Sequence, residues 1–335
     1  MATITDVAKL SGLSVATVSR VINNKPHVAE AKRQRVLAAM DELGYVPLQA
    51  ARQMRGSGSG NIAVAVPDIK NNFFAHLVDA IEKTCRKAGY RSLISQTAGT
   101  CEGETDALNL LKMQHADGLI LCSIENDWDT ITSYSKFGAI ALVDEYNDSD
   151  ALSQVYSQQY EGFFGATQYL LNRGYTRLAY CTGTHDIAIT PKGANLDSDR
   201  LTGFTDALAT HDLTLERAWL FEDITTLEDG RNVFRRILAM AERPDAILAG
   251  SDEVAAGIEL EALHCGFKIP DDLAIIGVDD QPIAEVAPVP LSTIRQPIYE
   301  MGSLVAQEIV DQLSEEPTPP RRRALNLELV IRASA

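Results

Sequence analysis

Short apolar runs alternate with longer amphipathic stretches from residue 61 onward, and this alternation is the strongest constraint on the fold. The runs predict strands at residues 62–66, 92–96, 118–122, 139–144, 178–181, 219–221, 246–249 and 273–278. The stretches between them predict helices near residues 73–88, 104–115, 160–173, 200–210, 227–241, 252–265 and 300–314. Alternating strands and helices form parallel sheets with helices on both faces, so we predict an α/β body.

The body is long enough for two doubly wound parallel-sheet subdomains. We place a first break near residues 158–162 and a return crossing near residues 292–296. The N-subdomain is then predicted to contain residues 61–159 and 295–317, and the C-subdomain residues 160–292 and 318–335. Ligands of open parallel sheets bind outside the carboxyl ends of the strands, so the predicted ligand site is the cleft between the subdomains.

Residues 1–46 have a different pattern, with two short helices joined by a tight turn and a third helix over residues 30–43. Gly12 suits the left-handed residue that closes a helix, and Ser14 is a good N-cap for the next one. The apolar face of that second helix contains Val18, Val21 and Ile22. Its other face is small, hydroxylated and basic, which suits close approach to base edges and phosphates. We predict an all-α helix-turn-helix DNA-binding domain; a small helical protein–protein module is the alternative.

The distribution of charge divides the chain at the same place. The whole chain has a net charge of −16, yet residues 1–60 hold eight Lys and Arg against four Asp and Glu. The head is therefore +4 and the rest of the chain −20. A basic head can bind DNA while an acidic body suppresses loose binding; the acidic body also favours solubility.

Residues 47–60 connect the head to the body, which we place at residues 61–335. Residues 48–56 have a helical pattern but are too few for a stable isolated helix. Residues 56–60 read Gly-Ser-Gly-Ser-Gly and form a flexible linker. The segment is thus predicted to be a hinge helix followed by a linker, with a plain linker as the alternative.

These motifs resemble the lactose/galactose-repressor family of bacterial transcription regulators. SVATVSRVIN at residues 14–23 is similar to the family's recognition helix, closest to its galactose branch, and LGYVP at residues 43–47 is similar to the approach to the family's hinge. The resemblance covers essentially the whole chain. It implies a body like a periplasmic sugar-binding protein, and a homodimer that binds a pseudo-palindromic double-stranded DNA operator under the control of a small effector.

The resemblance also implies which head residues contact DNA. Three fall where the family reads bases: Val15, Ala16 and Arg20. An Arg at such a position can pair bidentately with guanine. Four fall where the family grips phosphates: Thr17, Ser19, Asn23 and His27.

The resemblance implies that the hinge folds on the operator and inserts an apolar side chain into the minor groove. Met54 stands at that position, where the family usually has Leu, and Arg55 lies beside it. A hinge that folds only on DNA gives control, because separating the two hinges of a dimer removes both fold and affinity.

Candidate ligand residues follow the predicted strands. Carboxylates and a guanidinium around a cleft suit the hydroxyls of a polyol, because they form directional hydrogen bonds. The resemblance implies effector contacts at eight positions: Phe73, Phe74, Asp144, Arg200, Ile224, Ser251, Asp279 and Gln296. Asp252 is expected to cap the following helix instead. Residues 185–199 are either a lid over the ligand or a surface loop.

A sugar is the predicted effector, and the predicted function is a repressor of carbohydrate-utilisation genes. Ile224 stands where the family often has an aromatic that stacks on the ligand, which counts against a purine or nucleoside, the alternative. A protein co-regulator is a further alternative, although Gln307 stands where that branch is expected to have Arg. Phosphorylated sugars stay open through Arg200 and Lys192.

Other classes of protein lack their motifs here. The chain has no phosphate loop, no GxSxG and no Cys/His pairing, so neither an enzyme nor a cofactor is predicted. Its five cysteines and six histidines are scattered, so no metal site is predicted, and Cys122 and Cys181 lie in apolar runs typical of a core.

Neither a signal peptide nor a stretch of transmembrane length is recognised. We therefore expect a bacterial cytoplasmic, nucleoid-associated protein with no membrane partner, and regard a sugar-binding protein without a DNA role as a remote alternative. Without leucine heptads near residue 335, a dimer is expected rather than a coiled-coil tetramer.

Overall fold

The computed structural model describes residues 2–22, 26, 28–45, 58–189, 193 and 195–335. It divides into two compact units, Met1–Gly60 and Asn61–Ala335, which we call the head and the body. The division falls at the residue where the body is predicted to begin.

The described part of the head contains three helices: α1 (Ile4–Ser11), α2 (Val15–Ile22) and α3 (Glu30–Glu42). A capping box starts α1, since the Thr3 hydroxyl accepts from the Asp6 backbone N–H and the Asp6 carboxylate accepts from the Thr3 N–H. Gly12 closes α1 with a φ of 63°. The Ser14 hydroxyl accepts from the Thr17 N–H at 3.2 Å and caps α2, as predicted.

The core of the head lies where the three helices meet. Its buried residues are Val7, Ala8, Val18, Val21, Val36 and Ala39. Leu10 on α1 and Leu37 on α3 lie outside this core, because they are 45% and 46% exposed. On α3 the inward positions are spaced three and four residues apart from Val36, and Leu37 lies off that stripe.

The body contains two six-stranded sheets. The first has the order β11-β5-β4-β3-β1-β2 and consists of β1 (Asn61–Val66), β2 (Arg91–Gln96), β3 (Gly118–Leu121), β4 (Ala139–Val143), β5 (Ser153–Ser157) and β11 (Arg322–Leu325). The second has the order β12-β10-β9-β8-β6-β7 and consists of β6 (Leu178–Cys181), β7 (Leu220–Phe221), β8 (Ala246–Leu248), β9 (Ala274–Val278), β10 (Ser292–Arg295) and β12 (Glu328–Val330). Every pairing is parallel except that of β10 with β12.

Helices cover both sheets. The first subdomain carries α4 (Asn72–Lys87), α5 (Cys101–Lys112), α6 (Trp128–Ser133) and α12 (Ile298–Gln312). The second carries α7 (Gln159–Asn172), α8 (Leu196–Ala209), α9 (Leu227–Leu238), α10 (Asp252–His264) and α11 (Pro282–Val286). All eight predicted strands are present to within one residue at each end. The strands that were not predicted, β5, β10, β11 and β12, are polar or short, so they lack an apolar run.

The chain crosses between the subdomains three times, and the predicted bounds also imply three crossings. The first two crossings, after β5 and after β10, fall where the breaks were predicted. The assignment of residues 318–335 to the C-subdomain differs from the structure, because β11 pairs in parallel with β5 of the first sheet. The chain therefore returns to the second sheet only between β11 and β12. The Gln158 N–H donates to the Leu325 carbonyl at 2.8 Å. This hydrogen bond links the first crossing to the third.

Helices α9 and α10 pack at very short range through two glycines. A Cβ on Gly257 would lie 2.0 Å from the Leu227 carbonyl oxygen, and one on Gly230 would lie 2.3 Å from that of Val254. These neighbours are backbone atoms, so a side chain at either position forces the helices apart.

We expect Gly257→Ala to lower the free energy of unfolding by about 1–3 kcal/mol, the usual cost of overpacking. Gly165→Ala is the control, because Gly165 lies on α7 with nothing within 4 Å of its Cβ position. That change should raise stability by about 0.5–1 kcal/mol through helix propensity. Urea denaturation measures both, and equal midpoints for the two variants would contradict the close packing.

Candidate functional site

The outer face of α2 is exposed. Val15, Ala16 and Arg20 are exposed, and Thr17 and Ser19 are half-buried beside them, while Val18 and Val21 point into the head core. Ala16 and Arg20 are one helical turn apart and so lie on one side of the helix. The other predicted DNA contacts, Asn23, His27, Met54 and Arg55, lie outside the described residues.

In the body, both sheets direct the carboxyl ends of their strands to the cleft between the subdomains. Asp144 follows β4 in the first sheet, and Asp279 and Gln296 follow β9 and β10 in the second. All three side chains are at least nine-tenths buried. Arg200, half-buried, reaches the same region from the first turns of α8.

A chain of hydrogen bonds connects the Arg200 guanidinium to the Asp279 carboxylate through residues at the first two crossings. Arg200 Nε donates to Gln159 Oε1 at 2.9 Å, and Gln159 Nε2 donates to Gln296 Oε1 at 3.0 Å. Gln296 Nε2 then donates to Asp279 Oδ1 at 2.8 Å. Gln281 Nε2 donates to the other oxygen, Asp279 Oδ2, at 3.2 Å. The polar atoms of this chain are therefore paired and oriented by one another.

The charge of Arg200 is held by its neighbours. Burial would lower the pKa of the guanidinium, but the carboxylates of Asp144 and Asp197 prevail and raise it. The Arg200 Cζ atom also lies 5.2 Å from the centroid of the Phe163 ring, a favourable position for a cation. Arg200 is therefore a fixed positive charge in the cleft.

Asp144 has the opposite situation. Burial raises its pKa to about 7, although Arg200 lowers it, while Asp279 and Asp197 raise it further. Its Oδ1 atom has no hydrogen-bond partner within the described part of the chain. A buried carboxylate oxygen without a donor is costly, so this atom is suited to accept a hydrogen bond from a ligand.

A second set of polar contacts lies beside the cleft, and the first of them joins the two subdomains. The Tyr146 hydroxyl, from the loop after β4, donates to Asp199 Oδ2 on α8 at 2.7 Å. The Gly193 N–H donates to Asp199 Oδ1 at 2.6 Å. The Thr184 hydroxyl pairs with the Asp197 carboxylate. Asp199 is thus satisfied internally, whereas Asp197 faces an adjoining cavity.

At least two of the cavities that the described residues form open on the cleft. One, of about 500 Å³, lies between the loops after β3 and β4 and the start of α8; it is lined by Ile124, Trp128, Glu145, Tyr146, Asn147, Thr184, Asp186, Ile187, Ala188, Asn195, Leu196, Asp197 and Ser198. We call it the acidic cavity. The other, of about 340 Å³, contains Asp279 and Gln296 together with His76 and Tyr299.

The remaining predicted effector contacts pack in or against a core, or cap a helix. Phe73 is buried in the core of the first subdomain and meets Phe74 edge-on at 5.1 Å. Ile224 belongs to the core of the second. Ser251 caps α10 by accepting from the Val254 N–H at 3.2 Å. These four residues are therefore held by packing or capping contacts.

Asp252 was expected to cap α10, and this is wrong, because Ser251 occupies that position. The Asp252 carboxylate is fully buried and accepts from the Gln281 N–H at 2.7 Å and the Thr293 hydroxyl at 2.6 Å. Burial raises its pKa to about 8. It thus fixes the turn after β9 that carries Asp279.

Sequence reasoning missed Gln159, Tyr146 and Gln281. Gln159 lies at the predicted break between subdomains, and that position was the available signal. The question of a lid at residues 185–199 stays open: Asp186, Ile187 and Ala188 line the acidic cavity, but Lys192 and its immediate neighbours lie outside the described residues.

Cys122 and Cys181 are buried, as predicted, as is Cys85. Within the described part of the chain, every helix is too short or too polar to cross a membrane. The same residues contain no cluster of His, Cys, Asp and Glu that could hold a metal ion.

The raised pKa of Asp144 has a consequence for stability. A carboxyl whose folded pKa, about 7, exceeds its ordinary value of 3.8 binds more protons in the folded state, so its contribution to stability falls as the pH rises between these values. Asp144→Asn should therefore be more stable than the parent above about pH 7, by about 1–3 kcal/mol, and nearly equal near pH 4. Thermal unfolding against pH measures this, and a difference independent of pH would contradict it.

The fold and the site together define a class: a DNA-binding helical head joined to a two-lobed body with a polar ligand cleft. Comparison with known proteins agrees. Residues 3–48 match bacterial regulatory proteins of the lacI family, and residues 167–335 match the periplasmic binding protein-like domain.

Relatives match over the full length. The NTD biosynthesis operon regulator NtdR of Bacillus subtilis (strain 168) is 35% identical over 335 residues, covering 100% of both chains. The HTH-type transcriptional repressor PurR of Vibrio parahaemolyticus is 31% identical, covering 99% of this chain and 98% of its own. A LacI family transcriptional regulator from Lactobacillus casei, solved with bound glucose, is 34% identical with a TM-score of 0.72, covering 82% of this chain and 99% of its own.

The chain belongs to the LacI family of bacterial regulatory proteins. It is a DNA-binding transcription regulator and not an enzyme.

Proposed function

We propose that the protein represses carbohydrate-utilisation genes in the cytoplasm, binding a pseudo-palindromic operator as a homodimer under the control of a sugar. The observation that carries the sugar is the hydrogen-bonded chain from Arg200 to Asp279, which faces Asp144, whose Oδ1 has no hydrogen-bond partner among the described residues. Paired donors and acceptors at fixed positions suit the hydroxyls of a polyol. The Lactobacillus casei regulator, with glucose or sucrose bound, supports the same ligand class.

The effector contacts that we propose are Asp144, Arg200, Asp279 and Gln296, with Gln159 positioning Arg200. Phe73, Phe74, Ile224 and Ser251 are proposed as the wall of the site behind these polar groups. Because the residues come from both subdomains, a ligand that binds them favours one relative orientation of the subdomains.

A dimer is proposed because one head reads only a half-site. Its surface is proposed around α4 and α12, which pack tightly where Gly302 meets Leu77 and Ala80. The neighbouring edge strand β2 has no fully buried residue, which leaves it available for a partner.

The proposed control acts through residues 47–60. A change in subdomain orientation alters the distance between the two hinges of the dimer, and so the folding of the segment that contains Met54 and Arg55 on DNA. A purine effector and a protein co-regulator are the alternatives to a sugar.

The test begins with an operator selected from randomised duplexes. Its affinity for the full chain is measured by fluorescence anisotropy at fixed salt, with sugars, purines and nucleosides as probes. A sugar should change the affinity by about fivefold or more, the usual range of coupling. A purine response would replace the ligand class, and no response to any probe would favour a protein co-regulator.

Arg200→Ala should bind the operator normally and lose the sugar response, because the variant lacks the fixed charge in the cleft. Arg173→Ala is the control, since Arg173 is an exposed arginine at the end of α7 and should keep both properties. The same anisotropy assay measures both variants. A normal sugar response by Arg200→Ala would place the effector elsewhere.

Arg20→Ala should relax the choice of base at one position in each half-site and cost about 1–3 kcal/mol of discrimination. Lys9→Ala is the control, because Lys9 is exposed on α1 and its loss should weaken binding equally for all sequences. Affinities for the selected operator and its single-base variants measure both. An unchanged base preference in Arg20→Ala would refute base reading by this residue.

A further inference from the structure

The acidic cavity beside the cleft has an excess of negative charge. Glu145, Asp186 and Asp197 line it, and its described lining residues contain no Lys, Arg or His. Asp186 is exposed to solvent, whereas Glu145 and Asp197 are half-buried on opposite subdomains. The two half-buried carboxylates therefore face the cavity from both sides.

Asp144 adds an independent observation. It immediately precedes Glu145, is only 8% exposed, and its Oδ1 has no partner within the described residues. Arg200 is a nearby cation, and the carboxylates of Asp144, Asp197 and Asp279 all interact with it, whereas the exposed Asp186 pairs with His185. One guanidinium cannot neutralise three carboxylates and Glu145 as well.

The protonation of these groups reflects the same excess. The pKa of Glu145 is raised well above its ordinary value by burial, and then by the charges of Asp144 and Asp197. The carboxylates of Asp144, Glu145 and Asp197 thus repel one another.

We propose that the effector carries an ammonium group, as an amino sugar or another polyhydroxylated amine does, and that Glu145 and Asp197 bind this group in the acidic cavity. The inference rests on the proposed function, because it takes the cleft as the effector site. Arg200, Asp279 and Gln296 are left to bind the hydroxyls.

The chemistry of an ammonium group fits the cavity better than that of a hydroxyl or a phosphate. An ammonium donates three hydrogen bonds and supplies the missing charge. Its bonds to carboxylates are roughly twice as strong as bonds between neutral groups. A phosphate would instead be repelled by every carboxylate that lines the cavity.

The experiment is isothermal titration calorimetry of the full chain at fixed salt and about pH 6.5, where a sugar amine is protonated. The probes are glucosamine and galactosamine, with glucose, galactose and N-acetylglucosamine as neutral partners, and glucose 6-phosphate as an anion. At least one amine should bind about tenfold more tightly than its neutral partner, or bind where that partner is undetectable. A neutral partner or the phosphate binding equally or better overturns the inference.

Two variants locate the ammonium site. Glu145→Gln and Asp197→Asn should each lower the preference for the amine by about tenfold while leaving the neutral sugar within about twofold. Asp212→Asn is the matched control, because this exposed residue follows the far end of α8, about 20 Å of helix from the cavity. It should keep the full preference.

Operator binding without ligand shows that each variant is folded. If both cavity variants keep the full preference for the amine, the assignment of Glu145 and Asp197 is overturned. Neutral sugars that bind as well as amines, and still change operator affinity, would leave the proposed function intact and refute only the ammonium site. A chain that binds none of these probes would refute both proposals.

Discussion

The structure of the body depends on the chain of side-chain amides that spans the first two crossings between subdomains. Gln159 and Gln296 stand at these crossings and connect the Arg200 guanidinium to the Asp279 carboxylate. A buried amide must satisfy both its donors and its acceptor, so each residue fixes the orientation of the next. The crossings therefore also carry the amide side chains that orient the polar groups of the cleft.

The charges around these hydrogen-bonded side chains are unbalanced toward the negative. Asp279 is held by two glutamine side chains and Asp199 by Tyr146 and Gly193, whereas Asp144 Oδ1 finds no donor among the residues that the structure describes. A buried carboxylate without a partner raises the energy of the ligand-free protein, and a ligand that supplies the partner recovers that energy. The same feature that costs stability therefore favours binding.

The head relies on a different principle. Its core is small and apolar, and α2 presents short side chains and Arg20 outward. The capping residues Thr3 and Gly12 fix the two ends of α1, and Ser14 fixes the start of α2. A small core is therefore enough to hold α2 in place. The net charge of −20 on residues 61–335 is expected to disfavour loose binding to DNA, itself a polyanion.

Sequence alone determined the eight apolar strands, the head helices and the family, because these depend on local periodicity, capping residues and contiguous motifs. It also predicted that Asp144 and Asp279 lie at the cleft, since strand ends meet at one edge of a parallel sheet, and the structure brings both near Arg200. Tertiary structure decided that β11 joins the first sheet, that Ser251 rather than Asp252 caps α10, and that Gln159 connects to Gln296. Each of these depends on contacts between residues distant in sequence, which no local pattern encodes.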